Sequence, residues 1–197
     1  MKKSLLVGLI SLTVTVVPSF GQGIITLDNY LSNSGNGGPG FITYNGTGIQ
    51  AGWTVGFYWA AGNQLASVTP DPTGIGIPSG GGLVLATGTG STAASYPFNT
   101  PGTYLAAATY TTAGVATGGI ITMELIAYDT PSGGYNLATL RGHSAPFTMT
   151  VADPTGAPTK TGDFAPSFTI PVPEPSIFAL SGLGAAALML IRRKKVA

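Results

Sequence analysis

The chain contains no cysteine. Disulfides, thiolate metal ligands and a cysteine nucleophile are therefore excluded together. It contains a single histidine, His143, which excludes the zinc and copper sites that need several imidazoles. Charge is also scarce. Asp, Glu, Lys and Arg make up 8% of the 197 residues, against roughly a quarter in an average soluble domain. Most of the cations sit at the two ends, as Lys2, Lys3 and the block Arg192 to Lys195. Between them only Arg141 and Lys160 stand against Asp28, Asp71, Glu124, Asp129, Asp153, Asp163 and Glu174. A middle of that sign has no basic footprint, and nucleic acid is excluded as a partner. Neither a phosphate-binding G-x-x-x-x-G-K-[ST] loop nor a G-x-G-x-x-G before a helical pattern occurs, so nucleotide binding has no support.

What the chain has in quantity is turn residues, 30 glycines and 15 prolines, together with enough aromatics (9%) to build a core. The length fits one modest domain once the ends are set aside. At the front, Met1-Lys2-Lys3 is a positive n-region and Leu5 to Val17 an apolar stretch. Ser19-Phe20-Gly21 then puts small residues at the −3 and −1 positions. This pattern predicts a secretory signal peptide over residues 1–21, cut between Gly21 and Gln22.

From Gly23 the pattern is short strands between turns. Strands are expected at Ile24–Leu27, Phe41–Tyr44, Trp53–Trp59, Leu83–Ala86, Tyr104–Tyr110, Ile120–Tyr128, Leu137–Leu140, Phe147–Val151 and Phe168–Ile170. Trp53, Val55, Phe57 and Trp59 share one face, which reads as core. Tyr58 falls on the other face, a candidate surface aromatic for stacking on sugar rings. In the sixth strand Glu124 points with Thr122 and Ile126 away from the Ile121, Met123, Leu125 and Ala127 face, toward water. Asp71-Pro72-Thr73-Gly74 recurs as Asp153-Pro154-Thr155-Gly156, and both fit type I turns. No helix is expected before Ser176. The pattern predicts an all-β fold, a single antiparallel β-sandwich of immunoglobulin-like or jelly-roll type, over residues 22–170.

Catalytic chemistry finds few candidates. His143, Ser144 and Asp129 can be written as a triad, but neighbouring strand residues point to opposite faces and no G-x-S-x-G elbow is present. His143 reads as a surface loop residue. Glu124, Asp129, Asp153 and Asp163 are the carboxylates available to a two-carboxylate hydrolase. The two acidic turns lack the surrounding carboxylates of a calcium loop. Asn45-Gly46-Thr47 matches an N-glycosylation acceptor, which is a weak signal by itself. No catalytic residue, metal site or cofactor is expected.

The C-terminal stretch carries the most information. Val172-Pro173-Glu174-Pro175 precedes sixteen uncharged residues, Ser176 to Ile191, which are followed by Arg192, Arg193, Lys194 and Lys195. As a helix the uncharged run would reach about 24 Å, short of a hydrocarbon core of about 30 Å. The cations lengthen it by snorkelling and predict a cytoplasmic C-terminus, leaving the domain outside. This three-part end resembles the PEP-CTERM sorting signal of Gram-negative bacteria. The resemblance implies recognition of Pro173-Glu174-Pro175 by an exosortase, a membrane-embedded transpeptidase that cleaves near the motif. It also implies a transmembrane helix over Ser176 to Ile191 that tethers the chain transiently to the inner membrane, and a sorting region spanning 171–197. The expected protein is exported by Sec, non-enzymatic, and bound for the cell surface or extracellular polysaccharide. A carbohydrate-binding module is the alternative, and a small hydrolase a weaker one.

Overall fold

The computed structural model describes residues 22–30, 40–86 and 101–172. Among these residues the fold is all-β, with three 3₁₀ turns and no α-helix. The strands are β1 (Gln22–Asp28), β2 (Ile42–Tyr44), β3 (Thr47–Gly48), β4 (Trp53–Ala61), β5 (Val84–Leu85) and β6 (Leu105–Ala116). They continue with β7 (Ile120–Asp129), β8 (Arg141–His143), β9 (Phe147–Thr150), β10 (Thr159–Lys160) and β11 (Phe168–Ile170). The expected transmembrane helix over Ser176 to Ile191 and the expected signal peptide over 1–21 both fall outside the described residues. Of the searched residues, none forms a helix long and apolar enough to cross a membrane.

The central pair is β4 with β7, antiparallel over nine residues from Trp53↔Asp129 to Ala61↔Ile121. β5 pairs with the other side of β4, and β8 and β9 share the other side of β7. A second sheet runs β10-β1-β6 and a third β11-β2-β3. The main core holds Val55, Phe57 and Trp59 of β4 and Ile121, Met123, Leu125 and Ala127 of β7, together with Ile25 and Leu27 of β1 and Ile42 of β2. Period-2 alternation puts the β4 and β7 residues on one face of their sheet, and the β1 and β2 residues help to cover that face and remove it from water. Trp59 Nε1–H donates to the Tyr110 hydroxyl at 2.9 Å, and Phe57 meets the Tyr110 ring edge-on at 5.0 Å between centroids. These contacts join β4 to β6 across the layers, giving a sandwich-like arrangement.

The antiparallel expectation is corrected at two pairs. β10 runs parallel to β1, and β11 runs parallel to β2. Parallel neighbours need long connections, and here almost the whole domain is the connection. The last two strands lie beside the first two, so the end of the domain is sewn to its beginning. Leu137–Leu140 forms no strand. Its ladder place is taken by Arg141–His143, opposite Tyr128 to Ile126, and Leu137 is exposed. The two-residue strands β3 and β10 are too short to leave a periodic signal.

Two side-chain expectations are also corrected. Tyr58 and Glu124 face away from the main core as the alternation requires, yet both are buried, at 6% and 2% exposure. A second apolar cluster of Tyr58, Ile126, Tyr128, Tyr135 and Ala138, with Leu83 and Leu85 packed against it, covers that face. Alternation determines which residues share a face. Whether a distant segment covers that face is decided by the chain path.

Candidate functional site

His143 closes β8, and Glu124 sits two residues before Ile126, the residue opposite His143 in β7. The segment Thr69 to Gly74 crosses outside β8. Together they line a cleft of about 510 Å³, which Ser144 to Pro146 and Thr169 complete. The Asp71 turn forms as expected: Gly74 N–H donates to Asp71 O, and Asp71 Oδ1 accepts from both the backbone N–H and the hydroxyl of Thr73. Asp71 Oδ2 is left to reach outward. It accepts from Gly76 N–H at 2.6 Å and from His143 Nε2 at 2.9 Å.

His143 is buried rather than in a surface loop, with its side chain 6% exposed. Its Nδ1–H donates to the Ser144 carbonyl oxygen at 2.8 Å. Glu124 Oε2 is 3.1 Å from the same nitrogen. That contact is an ion pair without hydrogen-bond geometry, since Glu124 Oε2 has no hydrogen-bond partner. Both ring nitrogens thus face only acceptors, which selects the imidazolium. Burial alone pushes the His143 pKa down. Glu124, Asp71 and the Ser144 carbonyl outweigh it and raise the value to about 9. Asp71 is held well below the usual carboxylate range by the Thr73 hydroxyl first, then by His143 and the Gly76 and Thr73 amides.

The crossing segment is clasped elsewhere too. His143 N–H donates to Gly74 O, Arg141 Nε–H to Ile75 O at 2.8 Å, and the Tyr135 hydroxyl to Gly76 O at 2.9 Å. The Arg141 guanidinium lies over the Tyr135 ring, 5.4 Å from its centroid. Residues 71–76 are therefore fixed to the sheet by charge, backbone and aromatic contacts together.

As chemistry, the imidazole and the neighbouring hydroxyl are fully engaged. Ser144 Oγ donates to Ala145 O and accepts from Leu125 N–H, so its hydroxyl is engaged away from the imidazole. Asp129, the third member of the written triad, closes β7 three residues beyond Ile126 and accepts from the Ser132 hydroxyl. An imidazolium with all its protons bonded has no lone pair to act as a base. Among the described residues no group of three His, Cys, Asp or Glu side chains could hold a metal ion. Tyr58 packs edge-on against Tyr135 and offers no open face for stacking on a sugar. The Asp71–His143–Glu124 constellation went unread in the sequence, because 72 residues separate Asp71 from His143.

Of the sorting residues, Val172 is exposed and closes the described chain, directly after Pro171. Pro173, Glu174 and Pro175, the run to Ile191 and the block Arg192 to Lys195 lie outside the described residues. So does Gly21, while Gln22 opens β1, exposed. Residues 171–194 match the PEP-CTERM protein-sorting motif. The matched PEP-CTERM segment opens at the residue after β11 and contains Val172-Pro173-Glu174-Pro175, the apolar run and the first three cations. Such a motif points to an exported chain sorted at the membrane of a Gram-negative cell by an exosortase. No curated protein and no solved structure matches the chain.

Proposed function

We propose that this protein is a non-enzymatic cell-surface or extracellular-matrix component. The β-domain of residues 22–170 travels between a signal peptide, 1–21, and a sorting region, 171–197. Sec exports the chain, and the run from Ser176 to Ile191 holds it briefly in the inner membrane. An exosortase recognises Pro173-Glu174-Pro175 and cuts there, and the mature domain passes to the envelope surface or its exopolysaccharide. The observation that carries this reading is the motif match at 171–194, with proline-flanked carboxylate, apolar run and basic block in order. The prolines keep the recognised segment extended and free of ladder bonds. The fully engaged His143 imidazole and Ser144 hydroxyl support the non-enzymatic part, because neither is free to act as base or nucleophile.

The test is the mass of the mature protein from native cells. A C-terminus between Pro173 and Ser176 is expected, and a Glu174→Ala chain should accumulate in the membrane at full length. A mature chain still ending at Ala197 would replace sorting with permanent anchoring.

A further inference from the structure

The folded domain runs almost to the sorting motif. Ile170 is fully buried and closes β11. Its strand is fixed along its length. Phe168 N–H donates to Phe41 O at 3.1 Å, Phe41 N–H donates to the Ser167 hydroxyl at 3.0 Å, and the hydroxyls of Thr43 and Thr169 are bonded at 2.7 Å. Gly142 of β8 lies so close that a Cβ there would stand 3.1 Å from Ile170 Cα. Only five residues, 171–175, then separate the strand from the apolar run. Five residues reach at most roughly 18 Å when fully extended. The polar layer on one side of a bilayer is itself about 5–8 Å deep. The face from which the chain leaves the domain therefore stands against whatever engages Pro173-Glu174-Pro175.

That face carries a groove of about 230 Å³, lined by Phe41, Thr43, Ser167, Phe168 and Thr169. Its lining residues are three hydroxyl residues, Phe41 and Phe168, the last of which also packs against the main core, and none is charged. Anionic lipid surfaces attract basic residues at about 1 kcal/mol each, and this groove presents none. Aromatic groups beside uncharged polar ones suit a protein surface.

We propose that the β2/β11 face is a docking surface for the processing exosortase, which seats on this groove while Pro173-Glu174-Pro175 occupies its cleft. The domain is then a second recognition element beside the motif. This inference rests on the sorting reading, and it assigns a role to the folded part of the chain. Its test uses the full-length chain in native membranes and follows conversion of precursor to mature form by mass and pulse-chase. Thr43→Lys with Thr169→Lys, at half-buried and exposed positions, should slow conversion about tenfold. In a chain with twelve Gly/Ser residues inserted between Ile170 and Pro171, a spacer of about 19 Å r.m.s. length, the same pair should change conversion less than twofold. A photo-reactive phenylalanine analogue at Thr169 should cross-link to the exosortase. Unchanged conversion with the native tether would overturn the proposal, as would equal slowing with and without the spacer, which marks a folding defect. A cross-link to lipid alone would overturn it in favour of a membrane seat. Normal processing of Glu174→Ala would instead remove the sorting reading beneath it.

Discussion

The tetrapeptide Asp-Pro-Thr-Gly occurs twice, at 71–74 and 153–156, and the two copies share their local structure. In each, the Asp Oδ1 accepts from the N–H and the hydroxyl of the Thr two residues on, at nearly equal distances. In each, the Gly N–H donates to the Asp carbonyl oxygen. They differ in what the second carboxylate oxygen does. Asp71 Oδ2 holds Gly76 N–H and His143 Nε2, whereas the bonds of Asp153 stay inside its own turn. Part of the difference is written in the chain. Five residues after Asp71 stands Gly76, with an N–H to donate, and five after Asp153 stands Pro158, which has none. The rest comes from position, since only the first turn crosses outside a strand that carries a histidine. One local motif serves as a free turn in one place and as a clasp in the other.

Removing the histidine should break this comparison most strongly. His143→Ala leaves Glu124 buried without its counter-charge and leaves Asp71 Oδ2 with the Gly76 N–H alone. Loss of one partner from a buried pair costs about 3–5 kcal/mol, read as the shift in a denaturant midpoint. Next in size is the contrast between the two aspartates. Asp71→Ala should cost about 1–2 kcal/mol after discounting for its partial exposure. Asp153→Ala should cost clearly less in the same assay, and equal losses would mean that the clasp adds nothing to the turn.

The pH dependence sharpens the same contrast. The folded pKa of His143 lies above its unfolded value, so its contribution is complete below about 6.5 and is lost as pH rises through about 9. The carboxyls of Asp71 and Asp153 are both lowered, so their contributions are complete above about 4 and fade as pH falls below it. Denaturant midpoints measured from pH 5 to 10 should therefore fall on the alkaline side. Asp71→Ala should move that fall to lower pH, and Asp153→Ala should leave it in place. The smallest effect is at the last residue of each turn. Gly74 has φ +67° and Gly156 lies outside the left-handed region. Gly74→Ala should cost about 1 kcal/mol, whereas Gly156→Ala should be neutral or slightly stabilising.

Much of the fold was legible residue by residue. The face of Val55, Phe57 and Trp59, the adjoining face of Ile121, Met123, Leu125 and Ala127 on the same side of the sheet, and both Asp-Pro-Thr-Gly turns follow from period-2 alternation and turn chemistry, which act over a few residues. The candidate cleft was not legible. Alternation puts Tyr58 and Glu124 on the correct side of their strands but carries nothing about their surroundings. Tyr58 is covered by Leu83, Leu85, Tyr135 and Ala138, and Glu124 lies against His143, none of which alternation in β4 and β7 registers. His143 looked isolated because its two carboxylates are 19 and 72 residues away.

The sequence by itself determined the address: a proline-flanked Glu174, an uncharged run and a block of cations act through order and composition and need no fold. It also determined the all-β class, because short alternating segments between turns can bury one face only as sheets. The tertiary structure decided which polar groups meet, bringing Asp71, Glu124 and His143 together and making the imidazole a charged pin. It decided too that β11 returns to lie parallel to β2, which brings the folded domain to within five residues of the apolar run. Both outcomes depend on contacts between residues far apart in the chain, where loop path and packing set proximity and local pattern carries no record of it.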